Sequence, residues 1–97
     1  MPPVSRVSDT GLGHDSFPPT PVTAGSGDVF AGGLAVCRVG DPLAPHGSPS
    51  PSPVHPRSAS AGSGTVFTNG KPTVRIGDSI NCGGLLASGL GTVIVGG

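Results

Sequence analysis

The side chains best able to hold a metal ion in this chain are three histidines and two cysteines, at His14, Cys37, His46, His55 and Cys82. Zinc takes imidazole nitrogen and thiolate sulfur readily, and four such ligands close a tetrahedral site of the structural kind. His14, His46, His55 and Cys82 make up such a set. They are separated by 32, 9 and 27 residues, unlike the tight pairs of a zinc finger, so no local motif identifies the site. Scattered surface histidines and a buried free cysteine are the plain alternative. Repetition argues against it. Arg6-Val7-Ser8-Asp9, Arg38-Val39-Gly40-Asp41 and Arg75-Ile76-Gly77-Asp78 are copies of one element, and aligning them brings His14, His46 and Cys82 to corresponding places downstream. Three equivalent places around an axis converge at one point. Cys37 aligns with Val74 and reads as a small apolar core residue; a Cys37–Cys82 disulfide would remove a ligand.

Other groupings carry less chemistry. His14-Asp15-Ser16 holds triad residue types, but triad members converge in space and are rarely neighbours in sequence. Gly25-Ser26-Gly27 and Gly62-Ser63-Gly64 resemble phosphate-cradling loops, yet no helix pattern follows to supply a positive N-terminus, so both read as tight turns. The Arg and Asp of each copy read as a turn-holding pair, because a catalytic residue is needed once and a turn in every repeat. A small zinc-dependent hydrolase is the enzymatic alternative: three ligands, an open fourth position for water, and Asp9 or Asp15 as base. The chain has no Glu and little bulk to wall a substrate pocket.

The elements that must position these groups are β-strands. Gly or Pro interrupts nearly every helical window, at about 1 and about 3 kcal/mol relative to Ala. Strands are expected at Val4–Val7, Asp28–Ala31, Ala35–Val39, Thr65–Thr68, Thr73–Ile76 and Thr92–Val95, where β-branched or aromatic residues alternate with small ones. A second repeat runs alongside the first. Gly25-Ser26-Gly27-Asp28-Val29-Phe30-Ala31-Gly32-Gly33 matches the nine residues from Gly62 to Gly70, and returns as the nine from Gly89 to Gly97. Short alternating segments closed by Asn-Gly or Gly-Gly read as β-hairpins, each too small to bury a face alone. Gly11–Thr23 and Pro42–Ser60 interrupt the rhythm. By composition Pro42–Ser60 resembles a flexible linker, although it carries both His46 and His55.

With 97 residues, 18 Gly, 12 Pro and no Trp or Tyr, the chain reads as one domain with a thin core, of the size that adds a metal, a disulfide or a partner. Two cysteines exclude a disulfide-rich scaffold. Zero net charge and no run of Lys or Arg argue against a nucleic-acid surface. No apolar stretch suits a signal peptide or a membrane helix, so the expectation is a soluble protein made in the cytoplasm, which leaves the cell only by a non-classical route.

The stretch Asn69-Gly70-Lys71-Pro72-Thr73-Val74-Arg75-Ile76-Gly77-Asp78, followed by Cys82-Gly83-Gly84, resembles the PAAR-repeat family, whose pattern is Asn-Gly-x-Pro-Ala-Ala-Arg-x-Gly-Asp…Cys-Gly-Gly. The signature tetrad departs from the family's letters, reading Pro72-Thr73-Val74-Arg75 in one copy and Ala35-Val36-Cys37-Arg38 in another, while the framing Gly, Arg, Gly and Asp remain. The resemblance covers Arg6 to Gly97. It implies an all-β fold: a small cone of short hairpins with pseudo-threefold internal repeats, and Zn2+ near the apex on His14, His46, His55 and Cys82. It also implies a single PAAR domain over residues 1–97 without an effector extension. The implied role is a non-enzymatic tip, monomeric alone, capping a trimeric β-helical spike with one copy per trimer. That spike would be the VgrG protein of a type VI secretion system or a phage tail spike. Transient contact with a target membrane and attachment of effector proteins belong to the same expectation.

Overall fold

Residues at positive φ turn the chain between strands, at Gly32 and Gly33 and again at Asn69 and Gly70. The computed structural model describes residues 2–13, 19–46, 55–81 and 83–96, and these hold no helix but ten short strands: β1 (Pro3–Val4), β2 (Thr10–Gly11), β3 (Thr20–Pro21), β4 (Phe30–Ala31), β5 (Leu34–Ala35), β6 (Pro42–His46), β7 (His55–Ser58), β8 (Phe67–Thr68), β9 (Lys71–Pro72) and β10 (Leu90–Ile94). They pair antiparallel, two at a time: β1 with β10, β2 with β3, β4 with β5, β6 with β7 and β8 with β9.

No single pair buries a face, so the pairs are joined by a ring. Cys37 N donates to Ser5 O at 2.9 Å, Val74 N to Cys37 O at 3.0 Å and Ser5 N to Val74 O at 3.0 Å, closing a cycle of three backbone hydrogen bonds. Ser5, Cys37 and Val74 are each 0% exposed, which puts the pseudo-threefold axis among them. A second cycle follows at the next positions, with Val7 N on Ala35 O, Val39 N on Pro72 O and Ile76 N on Pro3 O. The overall extents, 40 × 23 × 22 Å, give one long axis and two nearly equal short ones, as a threefold body requires.

The third repeat is completed by the two ends of the chain. β4–β5 and β8–β9 are hairpins, but their counterpart is β10 paired with β1, so the expected strands at Thr92–Val95 and Val4–Val7 belong to one unit. Val95 N donates to Pro2 O at 3.0 Å, and Gly96 O accepts from Ser63 Oγ at 2.6 Å and Arg75 Nη1 at 3.1 Å.

Two expectations need correction. Strands expected to run through Val7, Val39 and Ile76 end before them in β-turns, with Asp9 N donating to Arg6 O, Asp41 N to Arg38 O and Asp78 N to Arg75 O. The third residue of each turn has positive φ: 80° at Ser8, 94° at Gly40 and 90° at Gly77, the signature of a type II turn. The ends of Pro42–Ser60 are also not linker. They pair as β6 and β7, with Pro42 opposite Ser58 and Leu43 opposite Arg57. Proline is tolerated there because each strand of a two-stranded ribbon has an outer edge where no N–H is needed.

Candidate functional site

Each Arg-x-Gly/Ser-Asp turn is locked by its own side chains. Asp41 Oδ2 accepts from Arg38 N at 2.8 Å and Nε at 2.9 Å, and Oδ1 accepts from Nη2 at 3.0 Å. Asp9 does the same for Arg6, and Asp78 for Arg75. The carboxylate satisfies a backbone N–H and a guanidinium fork together, which fixes the direction in which the chain leaves the ring. From the three turns the chain runs into β2–β3, β6–β7 and a short third loop closed by the Ser79↔Leu85 bridge.

These outgoing elements carry the candidate metal ligands. His14 and Cys82 lie outside the described residues. His46 and His55 are described through their backbones, as direct partners in the β6–β7 register. The flanks of all four converge. Leu12 N donates to Leu85 O at 2.8 Å, and Asn81 N to Ser58 O at 2.9 Å, while Asn81 Oδ1 accepts from Ser58 N at 3.1 Å. Ala59 N and Leu86 N make equivalent bonds to Asp41 O and Asp78 O. Counted back from those residues, Cys82 stands level with His55, each four positions earlier. Counted forward from the turn aspartates, it comes one residue sooner than His14 and His46. The third loop is short: it holds a single candidate, Cys82, where the second copy holds His46 and His55. Imidazole nitrogen and thiolate sulfur are the ligand types that suit a tetrahedral zinc site, and the described flanks of the four candidates lie close to one another. Among the described residues, no three His, Cys, Asp or Glu side chains form a metal-holding group.

Cys37 is a core residue, as expected. It packs with Val22, Leu43, Ala59, Val74, Ile80 and Leu86, and its thiol is pushed up to about 12, by burial first and then by the Asp41 charge. A thiol held protonated in this way is a poor ligand.

At the other end of the repeats, the hairpins present matching apolar side chains to solvent. Phe30 is 58% exposed, Phe67 56% and Ile94 47%, with Val29, Val66 and Val93 exposed beside them. Polar links hold two of the hairpins together. Ser26 Oγ donates to Asn69 Oδ1 at 2.6 Å, Asn69 Nδ2 donates to Asp28 Oδ1 at 2.8 Å, and Arg38 Nη1 donates to Asn69 Oδ1 at 3.1 Å. The Asn69 hydrogen bond, then that of Ser26, holds the Asp28 carboxyl below its ordinary range. The repeat gave no sign of this network, because the third copy has Gly96 in place of Asn69. Arg57, buried beneath the outgoing loops, was hidden for another reason: it lies in the proline-rich segment that reads as linker.

The PAAR motif family model matches residues 12–88, and the chain belongs to that family. No curated protein matches it. The match stops short of Arg6 and of β10, yet those segments complete the third repeat of the ring. No helix among the described residues is long and apolar enough to cross a membrane.

Proposed function

We propose that this protein is a zinc-stabilised tip that sits on the threefold end of a β-helical spike in a contractile injection machine, with one copy per spike trimer. The VgrG protein of a type VI secretion system and the spike of a phage tail are partners of this kind. The observation that carries the reading is the set of three equivalent, exposed apolar pairs: Val29 with Phe30, Val66 with Phe67, and Val93 with Ile94. One chain can meet three identical protomers only if it offers each a similar face. Short strands with open edges, backed by apolar side chains, suit continuation of a partner's strands. Membership of the PAAR motif family supports the same role.

His14, His46, His55 and Cys82 would hold the zinc, which contributes folding free energy to a body with a thin core. The role is mechanical, and no observation of the structure favours the hydrolase alternative. A tip of this kind leaves the cell with its machine, meets the target membrane transiently and has flanks on which effectors can ride. Native mass measurement tests the docking: one copy per spike trimer is expected, with Phe30→Asp and Phe67→Asp abolishing the complex while the isolated chain stays folded and monomeric. Three copies per trimer, or no binding to any trimeric β-helical spike, would refute it.

A further inference from the structure

Among the described residues Arg57 is the largest fully buried side chain, with 2% of its surface exposed, and the spike-tip reading gives it no role. It projects from β7 two residues after His55. Its Nη1 donates to Gly11 O at 3.2 Å and to Thr20 Oγ1 at 2.7 Å, and its Nη2 donates to Leu12 O. A Cβ at Gly84 would lie 2.8 Å from Nη2 and would overlap Leu12 O, so the third loop lies flat against the guanidinium only because residue 84 has no side chain.

These contacts have a pattern. Val22, Ala59 and Leu86 are equivalent, because their N–H groups bond to the carbonyls of Asp9, Asp41 and Asp78. Two residues before them stand Thr20, Arg57 and Gly84. The three repeats therefore give one position on the axis to a long cation, to a hydroxyl that accepts from it, and to a glycine that makes room for it. Each bonded or touching segment continues into a candidate ligand two residues away: Leu12 into His14, Gly84 back to Cys82, and Arg57 itself back to His55.

We infer that Arg57 is the positioning residue of the apical metal centre. Resting on the zinc reading above, the inference is that its guanidinium gathers the outgoing loops of all three repeats, so that their donors are assembled before a metal arrives. Only a planar fork bonds two carbonyls and a hydroxyl together in this way; a lysine carries the charge but not the geometry. Groups of this kind around a metal site are typically worth about 10–100-fold in affinity.

The test uses the full chain with Co2+ in place of zinc, whose visible bands report tetrahedral coordination. Wild type, Arg57→Lys, Thr20→Val and, as a destabilised control, Cys37→Ser are titrated with Co2+ and then competed with Zn2+. Amide exchange at Ser5, Cys37 and Val74 monitors the ring. Arg57→Lys is expected to weaken binding about 10–100-fold and to alter the bands with the ring still protected, Thr20→Val to do so less, and Cys37→Ser to leave the bands unchanged. If Arg57→Lys fails to fold, Thr20→Val decides. Wild-type bands and affinity in the folded Arg57 variant, or in Thr20→Val when that variant decides, overturn the inference and leave the zinc reading standing. Failure of the wild type to take up either metal removes both.

Discussion

In the ring, the three repeats do the same thing with the same atoms. At the apex, they do not. Around Ser5, Cys37 and Val74 the contacts are backbone hydrogen bonds, which use the same main-chain atoms in each repeat, and the cycle closes with nearly equal lengths. Farther out, side chains point at the axis and compete for one volume. Leu43 and Ile80 fill such a position, and their counterpart is Gly11, where a Cβ would overlap Leu43 and lie 2.6 Å from Ile80 Cδ1. Arg57, Thr20 and Gly84 repeat the arrangement one step on. Symmetry survives where the main chain bonds and fails where side chains must share a close-packed axis.

The sharpest separation of the two regions comes from their cysteines. Cys82→Ser should remove a thiolate and release the metal, with a loss of several kcal/mol out of the roughly 10–16 kcal/mol typical of structural zinc. Cys37→Ser should keep the metal at full stoichiometry and cost only about 1–2 kcal/mol, since it changes one small buried side chain. Metal analysis with thermal unfolding of both variants decides, and equal effects would count against Cys82 as ligand.

Cys37 should also make the ring sensitive to alkali. Its thiol is pushed up to about 12 in the folded protein, from about 9 when unfolded. Between these values the unfolded chain has lost a proton that the folded chain keeps, so stability is complete below about pH 9 and falls as pH rises toward about 12. The slope approaches about 1.4 kcal/mol per pH unit. Denaturant unfolding across that window should give this decline in wild type and a flatter line in Cys37→Ser, and parallel lines would show that the thiol contributes nothing to it.

A smaller change tests whether the ring repeats are energetically alike. Gly25, Gly62 and Gly89 are equivalent, and an added Cβ would meet the carbonyl oxygens of Val36, Thr73 and Val4, at 2.6 Å for Gly25 and 2.8 Å for Gly62. Alanine at each should cost about 1–3 kcal/mol, because backbone cannot yield as a side chain can. Costs that agree within error would extend the threefold from geometry to energetics, whereas a neutral Gly25→Ala or Gly62→Ala would break it.

The ring was legible in the sequence because its needs are local. A type II turn with a carboxylate returning to the arginine demands Arg, a residue tolerant of positive φ, and Asp in fixed order, and that order recurs at Arg6, Arg38 and Arg75. The apex was less legible. Pro42, Pro45 and Pro56 look like linker unless a two-stranded ribbon with free edges is in view, and a buried Arg57 contradicts the usual exposure of arginine. Its position became readable only once hydrogen bonding had aligned Val22, Ala59 and Leu86. Closure of the third repeat by β1 and β10 was half legible, since the copy from Gly89 to Gly97 matches the others but has its return strand at the opposite end of the chain.

Ser8 gives the smallest test. It occupies the place held by Gly40 and Gly77 in the other turns, with φ of 80° against 94° and 90°. A residue with a Cβ pays conformational energy there that glycine avoids. Ser8→Gly removes that strain but also loosens the unfolded chain, so the net gain should be at most about 1 kcal/mol. The reverse changes, Gly40→Ser and Gly77→Ser, should each lose a similar amount. Chemical denaturation of the three variants resolves differences of this size. A loss of stability in Ser8→Gly would mean that this turn is held differently from its two counterparts, and that the threefold likeness of the ring already gives way at its first turn.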